Sequence, residues 1–230
     1  MVGETSDKPT QVYIDANILK FSVHHRSVYR GRPQRVQWGN LDKVLTVYEL
    51  IETDEVAKLD LNQRNEAKTL RLIADAARAG KICFKMNSET LIETWGLPKL
   101  DSIEGRFFGA EIELVPTPLR SSRIIATGKP NSMRILQYDF VSRITHPRFL
   151  ELQKAAGAYQ GEKGLQRNQL LDAFHLWCAE HNRCQYFLTM DKKLARIVER
   201  AKRAPALEIV SPIELADKLD LFHPDFPRPV

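Results

Sequence analysis

Five short runs along the chain are apolar, rich in β-branched or aromatic residues, and separated by stretches with helical spacing. They are Gln11 to Asp15, Lys81 to Lys85, Ile112 to Val115, Gln185 to Thr189 and Leu207 to Val210. Strands buried on both faces need apolar side chains at nearly every position, so such runs predict a parallel sheet covered by helices. The helical spacing predicts helices over Ala16 to about His25, Leu41 to Ala79 with interruptions, Glu89 to Trp95, Met133 to Ser142, Pro147 to Tyr159, Gln169 to His181, and Lys192 to Ala201. Asn168 stands where an N-cap is expected, with Leu170, Leu171, Phe174, Trp177 and Cys178 forming the apolar face that follows. Alternating strands and helices predict an α/β fold: a doubly wound, mainly parallel five-stranded sheet between two helical layers. In such sheets ligands collect at the carboxyl ends of the strands, where the winding direction reverses.

A length of 230 residues accommodates one such domain, expected over residues 11–221 between a flexible tail at 1–10 and a C-terminal tail at 222–230. Two stretches exceed what a minimal domain needs, near 27–69 and 96–131, and read as insertions. No run approaches the roughly 18 to 20 apolar residues of a membrane span, and MVGETSDKPT lacks the features of a secretory signal, so a cytoplasmic protein without a membrane partner is expected. Three cysteines, Cys83, Cys178 and Cys184, have no framework spacing, as in a reducing compartment. The formal charge of +5 and pI near 9.1 raise nucleic acid modestly among partners.

Candidate chemistry lies in the acids. Asp15 closes the first apolar run and Asp191 follows the fourth, and a carboxylate at the end of a buried strand is costly without a compensating partner. Asp172 lies beside the apolar face of the Gln169 helix, and Glu93 falls between Ile92 and Trp95 on a short helix, with Glu89 one turn earlier as a competitor for its place. Four carboxylates at one site repel one another, and one or two hard divalent cations are the natural compensation. Mg²⁺ or Mn²⁺ suits an all-oxygen donor set, and a pair of such ions suits hydrolysis of a phosphodiester. Asn17 and Thr189 are candidate hydrogen-bond partners of the first and last acids, or simply capping and turn residues.

His175, Cys178, His181 and Cys184 recur every three residues, but a step of three turns a helix by about 300°, so they spread round it and do not converge on one zinc. Arg26, Arg30, Arg32, Arg35 and Trp38, with Tyr29, mix cations and aromatics in a way that could pair with phosphates and stack on bases; a solvated loop would look the same. Arg120, Arg123 and Lys129 in the second insertion carry the same two readings. No G-x-G-x-x-G or Walker pattern follows any predicted strand.

The segments QVYIDANIL, SETLIETWG, LLDAFHLWCAEHNRCQYFLTMDKKL and IVSPIELADKL, in this order and spacing, resemble the PIN-domain family, which includes the VapC-type ribonuclease toxins. The likeness covers about a third of the chain. It implies an Mg²⁺- or Mn²⁺-dependent endoribonuclease cutting single-stranded RNA, with Asp15, Glu93, Asp172 and Asp191 as catalytic metal ligands and Asn17 and Thr189 beside them. For the toxin members it further implies an antitoxin over the acidic cleft and often a homodimer. The two insertions depart from compact toxins and weaken the toxin role more than the chemistry. A DNA-directed or structure-specific nuclease, and a catalytically silent PIN-like module binding RNA or protein, are the alternatives.

Overall fold

A computed structural model describes residues 8–22, 24–94, 106–119, 130–159, 164 and 166–229. The elements in chain order are β1 (Thr10–Ile14), α1 (Ala16–Phe21), β2 (His25–Trp38), β3 (Leu41–Asp54), a 3-10 turn (Val56–Lys58), α2 (Leu61–Arg78), β4 (Ile82–Met86) and α3 (Ser88–Thr94). They continue with β5 (Arg106–Phe107), β6 (Ala110–Leu114), α4 (Pro130–Ser142), α5 (Pro147–Ala155), α6 (Arg167–His181), β7 (Tyr186–Leu188), α7 (Lys192–Glu199), β8 (Glu208–Val210) and α8 (Pro212–Lys218).

The main sheet has the order β5-β6-β4-β1-β7-β8. Strands β6, β4, β1, β7 and β8 are mutually parallel, and the two-residue β5 adds an antiparallel edge. The expected five-stranded parallel sheet between helices is therefore present. Its strands alternate their buried side chains between two cores. Val12 and Ile14 enter one with Leu70 and Ile73 of α2 and Leu215 of α8; Tyr13 and Phe187 enter the other with Phe149 of α5 and Phe174 and Trp177 of α6. The chain leaves β1 toward β4 and β6, then returns to lay β7 and β8 on the other side of β1. The winding thus reverses beside β1, and β7 pairs with it through Ile14 and Leu188.

The first insertion departs from expectation. Leu41 to Asp54 is a strand, paired antiparallel over its whole length with His25–Trp38, and the helix begins only at Leu61. Leu, Glu and Lys favour a helix in this window, but Val44, Thr46, Val47, Ile51 and Thr53 are β-branched, and the run follows the two-residue turn Gly39-Asn40. Gly39 takes a φ of +61°, which a hairpin turn of this length requires. At Gly31 a Cβ would lie 2.9 Å from Thr46 Cγ2 and 3.2 Å from Tyr48 Cε1, so the cross-strand side chains need a glycine there.

Smaller corrections have local causes. Helix α1 stops at Phe21, because the chain turns at Ser22 to enter the ribbon. Gln166, not Asn168, occupies the N-cap of α6, which puts Asp172 in the second turn, further from the positive helix end. Helix α8 is absent from the predicted helices, although Ser211 and Glu214 close a capping box. In the C-terminal tail, Phe222 and Phe226 pack on the core, and Arg228 donates to Asp217 Oδ2 at 2.8 and 3.1 Å. Trp95, Arg120, Arg123 and Lys129 lie outside the described residues, as does most of the second insertion.

Candidate active site

Thr189, buried at the end of β7, is the hub of the sheet edge. Its hydroxyl donates to Asp15 Oδ2 at 2.7 Å and accepts from Asn17 Nδ2 at 2.9 Å and from the Asp191 amide at 3.1 Å. Asn17 in turn accepts from the Met190 amide at 3.2 Å. Asn17 is thus inside α1 and bridges to the β7 end; the N-cap position belongs to Asp15. Asp191 caps α7, its Oδ1 accepting from the amides of Lys193 at 2.8 Å and Leu194 at 3.0 Å. Parallel pairing of β1 with β7 brings these residues together across more than 170 positions of sequence.

Glu93 reaches the same place from α3, held by His175 of α6. His175 is 1% exposed, its Nε2 contacts Glu93 Oε1, and its Nδ1 lies 3.2 Å from Thr90 Oγ1. Thr90 Oγ1 is 2.9 Å from the Tyr13 hydroxyl, and the Thr90 amide donates to Asn87 Oδ1 at 2.9 Å. A buried chain of side chains therefore runs from β1 through α3 and α6 to Glu93. Glu89, the competitor one turn earlier, is buried elsewhere: its carbonyl accepts from Gln137 of α4 at 2.9 Å, and its charge acts on Cys178. His175 carries more of the site than its place in the three-residue series suggests. Cys178 of that series is core and His181 is exposed. The available signal was its position one turn after Asp172 on a face that meets the sheet.

The charges couple across the four acids. Burial lifts the Asp15 carboxyl from 3.8 to about 6 against the Thr189 bond and the His175 charge, which favour ionisation. Burial, then the negative charge of Asp15, lifts Asp172 to about 8, helped by Asp191 and Glu93 and opposed by His175. For His175 burial favours the neutral ring, but the Glu93 carboxylate overcomes it and raises the imidazole to about 8. The Glu93 carboxylate thus favours the charged ring, which sets a cation against these acids and lowers the cost of ionising Asp15 and Asp172.

No known protein family, curated protein or solved structure matches the chain.

The donor chemistry fits a hard divalent ion: four carboxylates, a hydroxyl and an amide, with like-charge repulsion that a cation would relieve. Their spacing does not yet amount to a coordination sphere, since among the described residues no three His, Cys, Asp or Glu side chains are grouped closely enough to hold a metal ion. The acids form a cluster by field. Of the remaining candidates, Arg30, Arg32, Arg35 and Trp38 lie on the ribbon and not at this edge, as does the backbone of Arg26.

Replacing His175 by Phe keeps much of the volume but leaves Glu93 and Thr90 without their partner. The expected loss is about 1 to 3 kcal/mol in urea unfolding, the usual cost of stranded buried polar groups, and His175→Gln should recover part of it. Equal stability of the Phe variant and the parent would show that the chain of bonds carries no load.

Proposed function

We propose that this chain is a metal-dependent nuclease of the PIN type, hydrolysing phosphodiester bonds of single-stranded RNA. The observation that supports this most is the gathering of Asp15, Glu93, Asp172 and Asp191 at the reversal of sheet winding, with Asp172 raised to about 8 by burial and by the other acids. Carboxylates are not crowded in this way without a cost to the fold, and a divalent cation removes that cost.

Asp15, Glu93, Asp172 and Asp191 would hold Mg²⁺ or Mn²⁺. A bound divalent cation supplies Lewis-acid stabilisation of the phosphoryl oxygens and activates water. The chain's own residues do the positioning. Thr189 and Asn17 fix the Asp15 carboxyl on the edge of β1, the α7 amides hold Asp191, and His175 fixes Glu93. RNA is the first substrate to test because the segments around these acids resemble ribonucleases of that family. No helix among the described residues is long and apolar enough to cross a membrane.

The test is cleavage of a labelled single-stranded RNA, with a DNA strand of the same sequence, in Mn²⁺ or Mg²⁺ and then in EDTA. Cutting that needs the metal and is lost in Asp15→Asn is the expected result. That no three such side chains among the described residues are grouped closely enough to hold a metal ion favours a second reading, a silent module that binds RNA or protein. Folded protein that neither cuts any of these strands nor binds Mn²⁺ would establish that reading instead.

A further inference from the structure

The ribbon formed by β2 and β3 spans 14 residues per strand, roughly 45 Å if extended, and lies in its own two-stranded sheet. Two-stranded ribbons are marginal in water, and this one leaves large apolar side chains exposed along its length, Trp38 at 68%. Its strand pairing sorts the charges. Successive residues alternate faces, and the register sets Arg30 opposite Glu49, Val36 opposite Lys43 and Trp38 opposite Leu41. One face thus carries Arg30, Arg32 and Lys43 with Trp38, against Glu49 as its acid. The opposite face carries Asp42, Glu52 and Asp54 against Arg35.

Across the strands of the basic face Arg32 pairs with Glu49 at 3.8 Å, a contact exposed at both ends and weak. Lys43 lies 6.0 Å from the Trp38 ring, which places a cation beside an exposed aromatic at the ribbon tip.

We infer that the Arg30, Arg32, Lys43 and Trp38 face of the ribbon is a nucleic-acid docking surface, tracking the phosphate backbone while Trp38 stacks on an unpaired base. This rests on the nuclease reading for its substrate, and on charge complementarity for its place. Clustered cations on one face release counterions from a polyphosphate, and an exposed indole offers a stacking platform that any base can use. The acidic opposite face repels the same backbone, so the nucleic acid approaches from one side. Arg35 therefore separates from Arg30 and Arg32, although it follows Arg32 by only three residues.

The experiment uses the full chain with Asp15→Asn, in EDTA, and a fluorescent single-stranded RNA read by anisotropy between about 50 and 200 mM salt. Arg30→Glu, Arg32→Glu and Lys43→Glu combined should weaken binding at least about tenfold and flatten the salt dependence by about two to three in log–log slope. Trp38→Ala should weaken it about tenfold with the slope kept. Arg35→Glu should change it less than about twofold. Equal losses from Arg35→Glu and the triple change, or no RNA binding by the parent, would overturn the inference. So would a ribbon that holds two copies together, seen as a dimer in sedimentation that Trp38→Ala converts to monomer with RNA affinity intact. Metal-dependent cleavage by the otherwise wild-type chain reports on the catalytic reading separately, so the two can fail independently.

Discussion

On the proposed nuclease reading, Asp172→Asn will slow metal-dependent cleavage about 10²- to 10³-fold, and it will make the metal-free protein more stable at pH 8. The two effects have one cause. Burial and the neighbouring Asp15, Asp191 and Glu93 carboxylates raise Asp172 from 3.8 to about 8, so the folded chain either keeps a proton there or holds a badly placed charge. One unit of displaced pKa is worth about 1.4 kcal/mol. Asp172 keeps some contact with solvent, which screens part of this, and a gain of about 2 to 3 kcal/mol is the expected size for the isosteric amide. For a chain of this length that is roughly 5 to 10 °C in melting temperature. If these acids hold the metal as proposed, the loss of one charge among them accounts for a fall in cleavage rate of about 10² to 10³. Thermal melts in EDTA at pH 8 and initial cleavage rates in Mn²⁺ check both halves. A variant that is less stable than the parent would mean that Asp172 is a structural acid satisfied in the fold, and the functional argument from its charge would lose its footing.

The sheet and its acids could be read before the structure because each rests on local pattern. Buried parallel strands are apolar at most positions, so the runs ending at Asp15 and Thr189 announce both the strand and the acid at or just beyond its end. The adjacency of the first and fourth runs follows from the way doubly wound sheets are connected. What was hidden depends on pairing. The ribbon resembles a helix in composition, and only the alternation of β-branched residues after Gly39-Asn40 distinguishes the two. The split of Arg30 and Arg32 from Arg35 follows from the two-residue alternation of a strand, which is hidden as long as the run's neighbour is taken for a helix. His175 was hidden for the same reason: its partners Glu93 and Thr90 lie more than 80 residues away, and its spacing with Cys178 and His181 draws the eye along the helix instead of across it. Weighing Glu93 against Glu89 likewise depends on distant partners: Glu93 meets His175, whereas the charge of Glu89 acts on Cys178 one turn further along α6.

The metal-free protein will lose stability as pH rises from about 4 to about 8, and Mn²⁺ will restore it at the upper end only. Asp15 is raised from 3.8 to about 6 and Asp172 to about 8, so across this range the folded state binds protons that the unfolded chain has released. Unfolding then releases protons, and stability falls with rising pH. His175 acts in the same direction: with its imidazole raised from 6.5 to about 8, its contribution is complete below 6.5 and is lost through about pH 8. A divalent cation competes with those protons for the same carboxylates. At pH 5 they win, and the melting temperature should be nearly indifferent to Mn²⁺. At pH 8 the ion should add RT ln(1 + [L]/Kd), about 2.7 kcal/mol at a hundredfold excess over Kd, or roughly 5 to 10 °C. The gain should shrink in Asp172→Asn, which has already lost the repulsion that the ion relieves. Differential scanning fluorimetry at pH 5, 6.5 and 8, with EDTA or Mn²⁺, separates these cases. A melting temperature that rises with pH, or an Mn²⁺ shift of the same size at all three values, would mean that the raised carboxyls are not the groups the ion engages.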